Sequence, residues 1–187
     1  MIVVIGTSWG GLYALMELLG ELPTDFPAPV LVVQHRGPDT DDARLGHVLS
    51  RYSALPVADA EDKQAIEPSR VYLGPADYHL GVERGHISLS VDEVVHFSRP
   101  SIDVLFESAA DAYGSETIAV LLTGYGRDGA AGIARVRDAG GTTLVQEPAS
   151  AMQGAMPQAA IDAGGALEVL PLEKIAARLV ALCKAAA

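Results

Sequence analysis

The stretch IVVIGTSWGG, residues 2–11, decides how the rest of this chain is read. Four β-branched apolar residues run into a glycine turn with Ser8 at its middle. Two unrelated chemistries use a turn of this kind. In a dinucleotide fingerprint, G-x-G-x-x-G, the glycines let a pyrophosphate approach the backbone. In a nucleophile elbow, G-x-S-x-G, a strained turn between strand and helix pushes a serine hydroxyl into the open. Gly6 and Gly11 fit the fingerprint, but its middle position is Ser8. The second strand should also end in an acidic residue for a ribose, and here it ends Gln34-His35-Arg36. Read as G-x-S-x-G, residues 6–10 match, with a strand before and a helix after. The plainer alternative is a serine that caps a helix, so the motif needs a base and an orienting acid.

Working outward, short β-branched runs alternate with helical-period stretches, the pattern of a mostly parallel sheet with helices on both faces. Strands are expected at 2–5, 29–35, 117–124 and 142–147, and helices at 10–20, 39–53, 100–114, 128–141 and 171–187. Acidic residues open the 39–53 helix, and Ser101 is placed to cap the 100–114 helix. Residues 70–91 break the rhythm with short strands around Glu83-Arg84-Gly85-His86, an antiparallel hairpin. The expected fold is a three-layer α/β/α, mostly parallel doubly wound sheet with an antiparallel hairpin excursion. No repeat or composition break divides it, so residues 1–187 are expected to form one catalytic domain.

Composition narrows the function. Hydrophobic residues make up 49% of the 187 and charged residues 20%, which suits a well-buried fold. The net charge of −11 opposes nucleic acid and anionic membrane as partners. No run approaches a membrane span, and Glu17 interrupts the apolar N-terminal stretch, so neither membrane insertion nor a signal peptide is expected and the cytoplasm is the default location. The single cysteine, Cys183, reads as a half-buried small side chain in the last helix.

A right-handed crossover places the second strand near the first with both carboxyl ends on one sheet edge. His35, ending that strand, is therefore the expected base for Ser8. The other histidines, His47, His79, His86 and His96, read as surface or packing residues. An acid is expected from another strand end on the same edge, and TGYGRDG (123–129) offers Asp128. Its competing reading is the N-cap of the 128–141 helix, a task Asn performs about as well.

The segments VVIGTSWGG, VLVVQHRGP, VYLGPADYHL, RPSIDVLFESAA, LLTGYGRDGAAG and GAMPQAA, in order along nearly the whole chain, resemble the catalytic domain of the CheB-type chemotaxis protein-glutamate methylesterases. The resemblance implies a Ser-His-Asp triad at Ser8, His35 and Asp128. It also implies hydrolysis of glutamate γ-methyl esters on chemoreceptor cytoplasmic helices, often glutamine deamidation, and no metal or cofactor. This sequence departs from the family pattern at Trp9, where threonine is usual, and at Tyr125-Gly126-Arg127 before the aspartate. Trp9 and Tyr125 are expected to shape substrate access, with the Trp9 N–H as the first oxyanion donor and the Tyr125 turn as a second. With the first strand expected from residue 2, the phospho-receiver domain often found ahead of the esterase is not expected on this chain, which reads as either a stand-alone enzyme or an excised fragment. The competing reading is an esterase-like protein-interaction module with little turnover.

Overall fold

A computed structural model of the protein describes residues 1–37 and 42–185. Strand β1 (Ile2–Thr7) is followed by helix α1 (Gly11–Gly20), strand β2 (Val30–Gln34) and helix α2 (Asp42–Leu49). Short strands β3 (Val57–Asp59) and β4 (Val71–Leu73) precede a hairpin of β5 (His79–Glu83) and β6 (His86–Ser90). Then come α3 (Ile102–Tyr113), β7 (Thr117–Leu121), α4 (Ala130–Asp138), β8 (Thr142–Gln146), α5 (Ala155–Asp162), β9 (Glu168–Leu170) and α6 (Leu172–Ala185).

Among the described residues, seven strands form one sheet in the order β3-β4-β2-β1-β7-β8-β9, with every neighbouring pair parallel. The strand order reverses direction at β1: the chain first builds outward through β2 and then crosses to β7 on the other side. Open α/β sheets place ligands at such a switch point, outside the carboxyl ends of the strands. The expected doubly wound sheet is therefore present, and the antiparallel excursion is the separate β5–β6 pair.

Each residue of β1 is buried because the sheet is covered on both faces. Val3 and Ile5 pack into a core with Leu15, Leu18 and Leu19 of α1, Leu49 of α2, and Ile175 and Leu179 of α6. Ile2 and Val4 face the opposite way, toward Ile102 and Phe106 of α3, Ile133 of α4, Met156 of α5 and Ile87 of the hairpin. Period-two alternation thus feeds two separate cores from one continuous apolar run. Gly6 has a specific task here. A Cβ on it would overlap the Ile102 side chain, so glycine lets the start of α3 lie directly against β1.

Several expectations are corrected. Residues 71–73 are not part of the hairpin but a strand of the parallel sheet beside β2, and β3 and β9 are edge strands of three residues that carry too little pattern to see. Helix α5 begins in the GAMPQAA segment, whose Pro157 sits in the first turn, where a missing N–H costs nothing. Helix α4 starts at Ala130 with Gly129 as its N-cap, so Asp128 lies outside it. Cys183 is fully rather than half buried, and burial pushes its thiol up to about 11. The 39–41 start expected for the second helix, with its acidic residues, and residues 186–187 of the last one lie outside the described residues. Among the described residues, no helix is long and apolar enough to cross a membrane.

Candidate active site

Three strand ends converge at the switch point. Ser8 follows β1, His35 follows β2 in register beside it, and Asp128 closes the turn after β7. The His35 ring has its Nδ1 3.2 Å from Ser8 Oγ and its Nε2 2.6 Å from Asp128 Oδ2. An ionised carboxylate can only accept, so Nε2 carries the ring proton and Nδ1 presents its lone pair to the serine hydroxyl. The three residues picked from sequence are brought together in one hydrogen-bonded line.

The serine is exposed by a different device from the one expected. Ser8 is not among the residues with positive φ; the left-handed residue of the turn is Gly10, at φ 81, which caps α1. Strain is therefore carried by a glycine, where it costs little. The turn is instead fixed by bonds to the neighbouring strand ends. Ser8 N–H and the Thr7 hydroxyl both donate to Thr123 O, at 2.9 and 3.0 Å. The Thr123 hydroxyl donates to Trp9 O at 2.9 Å, and Gln146 Oε1 holds the Thr123 N–H at 2.8 Å.

Gln34 is a site residue that the sequence reading passed over. Its Nε2 donates to Ser8 O at 2.9 Å and to His35 O at 3.0 Å, so one amide ties the backbones of Ser8 and His35 together. Its position as the last residue of β2 was the available signal, but a glutamine there was weighed only as a missing ribose acid.

Asp128 is 2% exposed and accepts four donors. Oδ1 takes Ser101 Oγ–H at 2.8 Å and Asp103 N–H at 3.0 Å, while Oδ2 takes Ile102 N–H at 2.7 Å and His35 Nε2–H. Burial opposes its charge, but the His35 bond and the Ile102 and Asp103 N–H groups outweigh burial and hold its pKa below the ordinary carboxylate value. Such a group lends stability above its unfolded value of 3.8, lost as the pH falls through the lower folded one. The cap reading is thus corrected: Asp128 caps a helix, but it is α3 rather than α4, and it satisfies N–H groups that α3 would otherwise leave open. Ser101 sits at the N-cap of α3 yet makes no side-chain cap bond, because its hydroxyl points to Asp128.

Beside Ser8 lies a hollow of about 450 Å³ bordered by Trp9, Tyr13, Gln34, His35, Tyr125 and Met152. Trp9 and Tyr125 are 62% and 60% exposed, with ring centroids 6.3 Å apart at 59°. His79 is buried and its Nδ1 accepts the Ser101 N–H, a packing role as expected, whereas His47 and His86 are exposed. His96 is exposed, as expected of a surface residue, and its Nε2 also lies 3.1 Å from Asp103 Oδ2 in the layer behind Asp128. His96, Asp103 and Asp128 are also the one group among the described residues with donor atoms close enough for a metal. Both Asp128 oxygens and Asp103 Oδ1 are already occupied by protein donors, so the group is a hydrogen-bonded network rather than an open ligand set.

With this geometry in hand, comparison with known proteins gives a consistent answer. The CheB methylesterase family model matches residues 3–179. The crystal structure of the Thermotoga maritima CheB methylesterase catalytic domain superposes with a TM-score of 0.91 at 39% identity, covering 97% of each chain. A relative from Leptospira interrogans is 41% identical over 181 residues, covering 96% of this chain and 93% of its own. The Nitrosospira multiformis protein-glutamate methylesterase/protein-glutamine glutaminase is 45% identical over 97% of this chain, which spans 51% of that relative's length. The Myxococcus xanthus protein-glutamate methylesterase FrzG is 40% identical, and this chain spans 54% of it. The fold and site define an α/β protein with a switch-point serine. The chain belongs to the CheB methylesterase family.

The four bonds to Asp128 predict the behaviour of Asp128→Asn. Asparagine must turn its NH₂ toward one pair of donors, leaving two buried donors facing a third. A destabilisation of about 2–4 kcal/mol follows, or roughly 5–15 °C in Tm for a chain of this size. A thermal melt checks this. A melt coincident with the parent would show that the carboxylate does not accept at both oxygens.

Proposed function

We propose that this chain is a serine hydrolase that removes methyl groups from glutamate γ-methyl esters on protein helices, those of methylated chemoreceptors, with Ser8, His35 and Asp128 as its triad. The observation that carries the reading is the continuous line Ser8 Oγ, His35 Nδ1, His35 Nε2, Asp128 Oδ2 at the sheet switch point, in a chain of this family.

Ser8 Oγ attacks the ester carbonyl carbon while His35 Nδ1 takes its proton. Asp128, held anionic by its donors, stabilises the imidazolium. The tetrahedral intermediate collapses, breaking the bond to the methoxy oxygen, which leaves as methanol with the proton from Nδ1. Water then attacks the acyl-serine, gives a proton to the same nitrogen, and releases the glutamate carboxylate and free Ser8. The Ser8 N–H is committed to Thr123 O, so it is not the oxyanion donor. The Trp9 N–H, which no described residue accepts, follows the nucleophile and lies at the N-terminal end of α1, where the helix dipole adds to it. On a glutamine the same steps expel ammonia in place of methanol.

Trp9 and Tyr125 form a raised, uncharged rim on the hollow beside the serine, and they select which chains reach it. A protein substrate must lay its flanking residues across this rim, whereas a small ester need not.

Two measurements test the reading. Ser8→Ala removes only a half-buried hydroxyl, so it should melt with the parent and lose methanol release from methylated receptor fragments to background. Parental turnover in that variant would remove the proposal and leave an interaction module. Trp9→Thr should raise kcat/KM on methylated helical peptides by about tenfold, the scale of one side-chain contact in a substrate pocket, with little change on a small aryl ester. An unchanged or lower value on the peptides would show that the indole does not obstruct them.

A further inference from the structure

A second buried carboxylate stands directly behind Asp128, and the steps above do not use it. Asp103, in the first turn of α3, is 4% exposed. Its Oδ1 accepts the Gly132 N–H of α4 at 2.6 Å, and its own N–H donates to Asp128 Oδ1. Its Oδ2 meets His96 Nε2 at 3.1 Å. One side chain therefore laces the start of α3 to the start of α4, and the residue between those two helix ends is Asp128.

The outer partner is delivered by an unusual turn. His96 and Phe97 are both left-handed, at φ 50 and 62, inside a two-residue turn closed by reciprocal Val95 and Ser98 bonds. Such turns favour Asn-Gly, because other side chains resist that conformation. Here the strained backbone carries the imidazole onto Asp103, while Phe97 gains no burial from it.

We infer that Asp103, with His96 as its outer partner, is a positioning residue for the hydrolysis: it fixes Asp128 against His35, and its charge strengthens the hold of Asp128 on the imidazolium. This rests on the proposed role of His35 as base. The groups facing Asp103 are Asp128 from the turn before α4, His96 from the 95–98 turn and Glu107 from its own helix. Beyond these, His35 lies across Asp128, His79 lies behind Ser101, and Arg127 borders the outer cleft with His96. Burial, with the charges of Asp128 and Glu107, pushes Asp103 up to about 6, against the Gly132 N–H and His96. Its charge therefore changes within the range where a histidine base works.

Asp103→Asn tests the inference, since it keeps an acceptor for Gly132 and deletes the charge. The acid limb of the kcat/KM profile should move to lower pH by about half a unit or more, the scale of one charge removed across a partly buried gap. KM should hold while kcat falls, because Asp103 does not border the hollow. The His35 Cε1–H NMR titration should shift by the same amount, a readout that needs no turnover. In the parent protein, the His35 and Asp103 titrations should each carry the other's step, which decides the matter even if the variant fails to fold. A lower melt with both titrations unmoved would overturn the inference, leaving Asp103 a purely structural tie. If the NMR shift is present but neither protein hydrolyses the ester, the coupling stands and the proposed function falls.

Discussion

The structure depends on keeping one carboxylate charged where water cannot reach it. An isolated buried carboxylate is too costly to hold as an anion and would take up a proton instead. Asp128 escapes this because four donors converge on its two oxygens, two of them the first N–H groups of α3. The positive end of the α3 dipole adds to them. The arrangement works only if α3 starts close to the sheet, and Gly6 of the opening motif leaves room for Ile102 to lie there. The glycine that sequence reading assigns to the nucleophile's turn thus also serves the acid, 122 positions further on by the numbering of Gly6 and Asp128.

Topology does the rest. Because β1 has β2 on one side and β7 on the other, residues distant in sequence emerge side by side at the carboxyl edge. Neighbouring parallel strands lie about 4.8 Å apart, so β2 and β7 flank β1 closely enough for the His35 ring to bond both Ser8 and Asp128 across the end of β1. The turn that carries Ser8 is held by Thr123 and Gln34 from the strands on either side rather than by strain at Ser8 itself. Such a scaffold supplies geometry before a substrate arrives, and pre-set geometry lowers an acyl-transfer barrier.

The sheet, its helices and the Ser8–His35–Asp128 line were legible because they rest on long apolar runs and on strand-end position, both of which sequence displays. The three-residue strands β3 and β9 were not, since three residues contain one alternation at most. Asp128 was picked as the acid, but the competing cap reading assigned it to the helix it precedes rather than to α3. Its true partners, Ser101, Ile102 and Asp103, are brought in by tertiary packing, which no local pattern encodes. The surface reading of His96 holds, but its Asp103 partner was hidden for the same reason: a histidine in a loop carries no sign of what it faces. Gln34 was visible and misjudged, because its place at a strand end was tested against one ligand chemistry only.

The central claim is that Ser8 is a nucleophile activated by His35. The most direct test is to treat the protein with a tagged alkyl fluorophosphonate and locate the adduct by peptide mass spectrometry. The account predicts a single adduct on Ser8, forming more slowly as the pH falls and the imidazole protonates, and nearly abolished in His35→Ala. No adduct on Ser8, or labelling of His35→Ala at the parental rate, would contradict it.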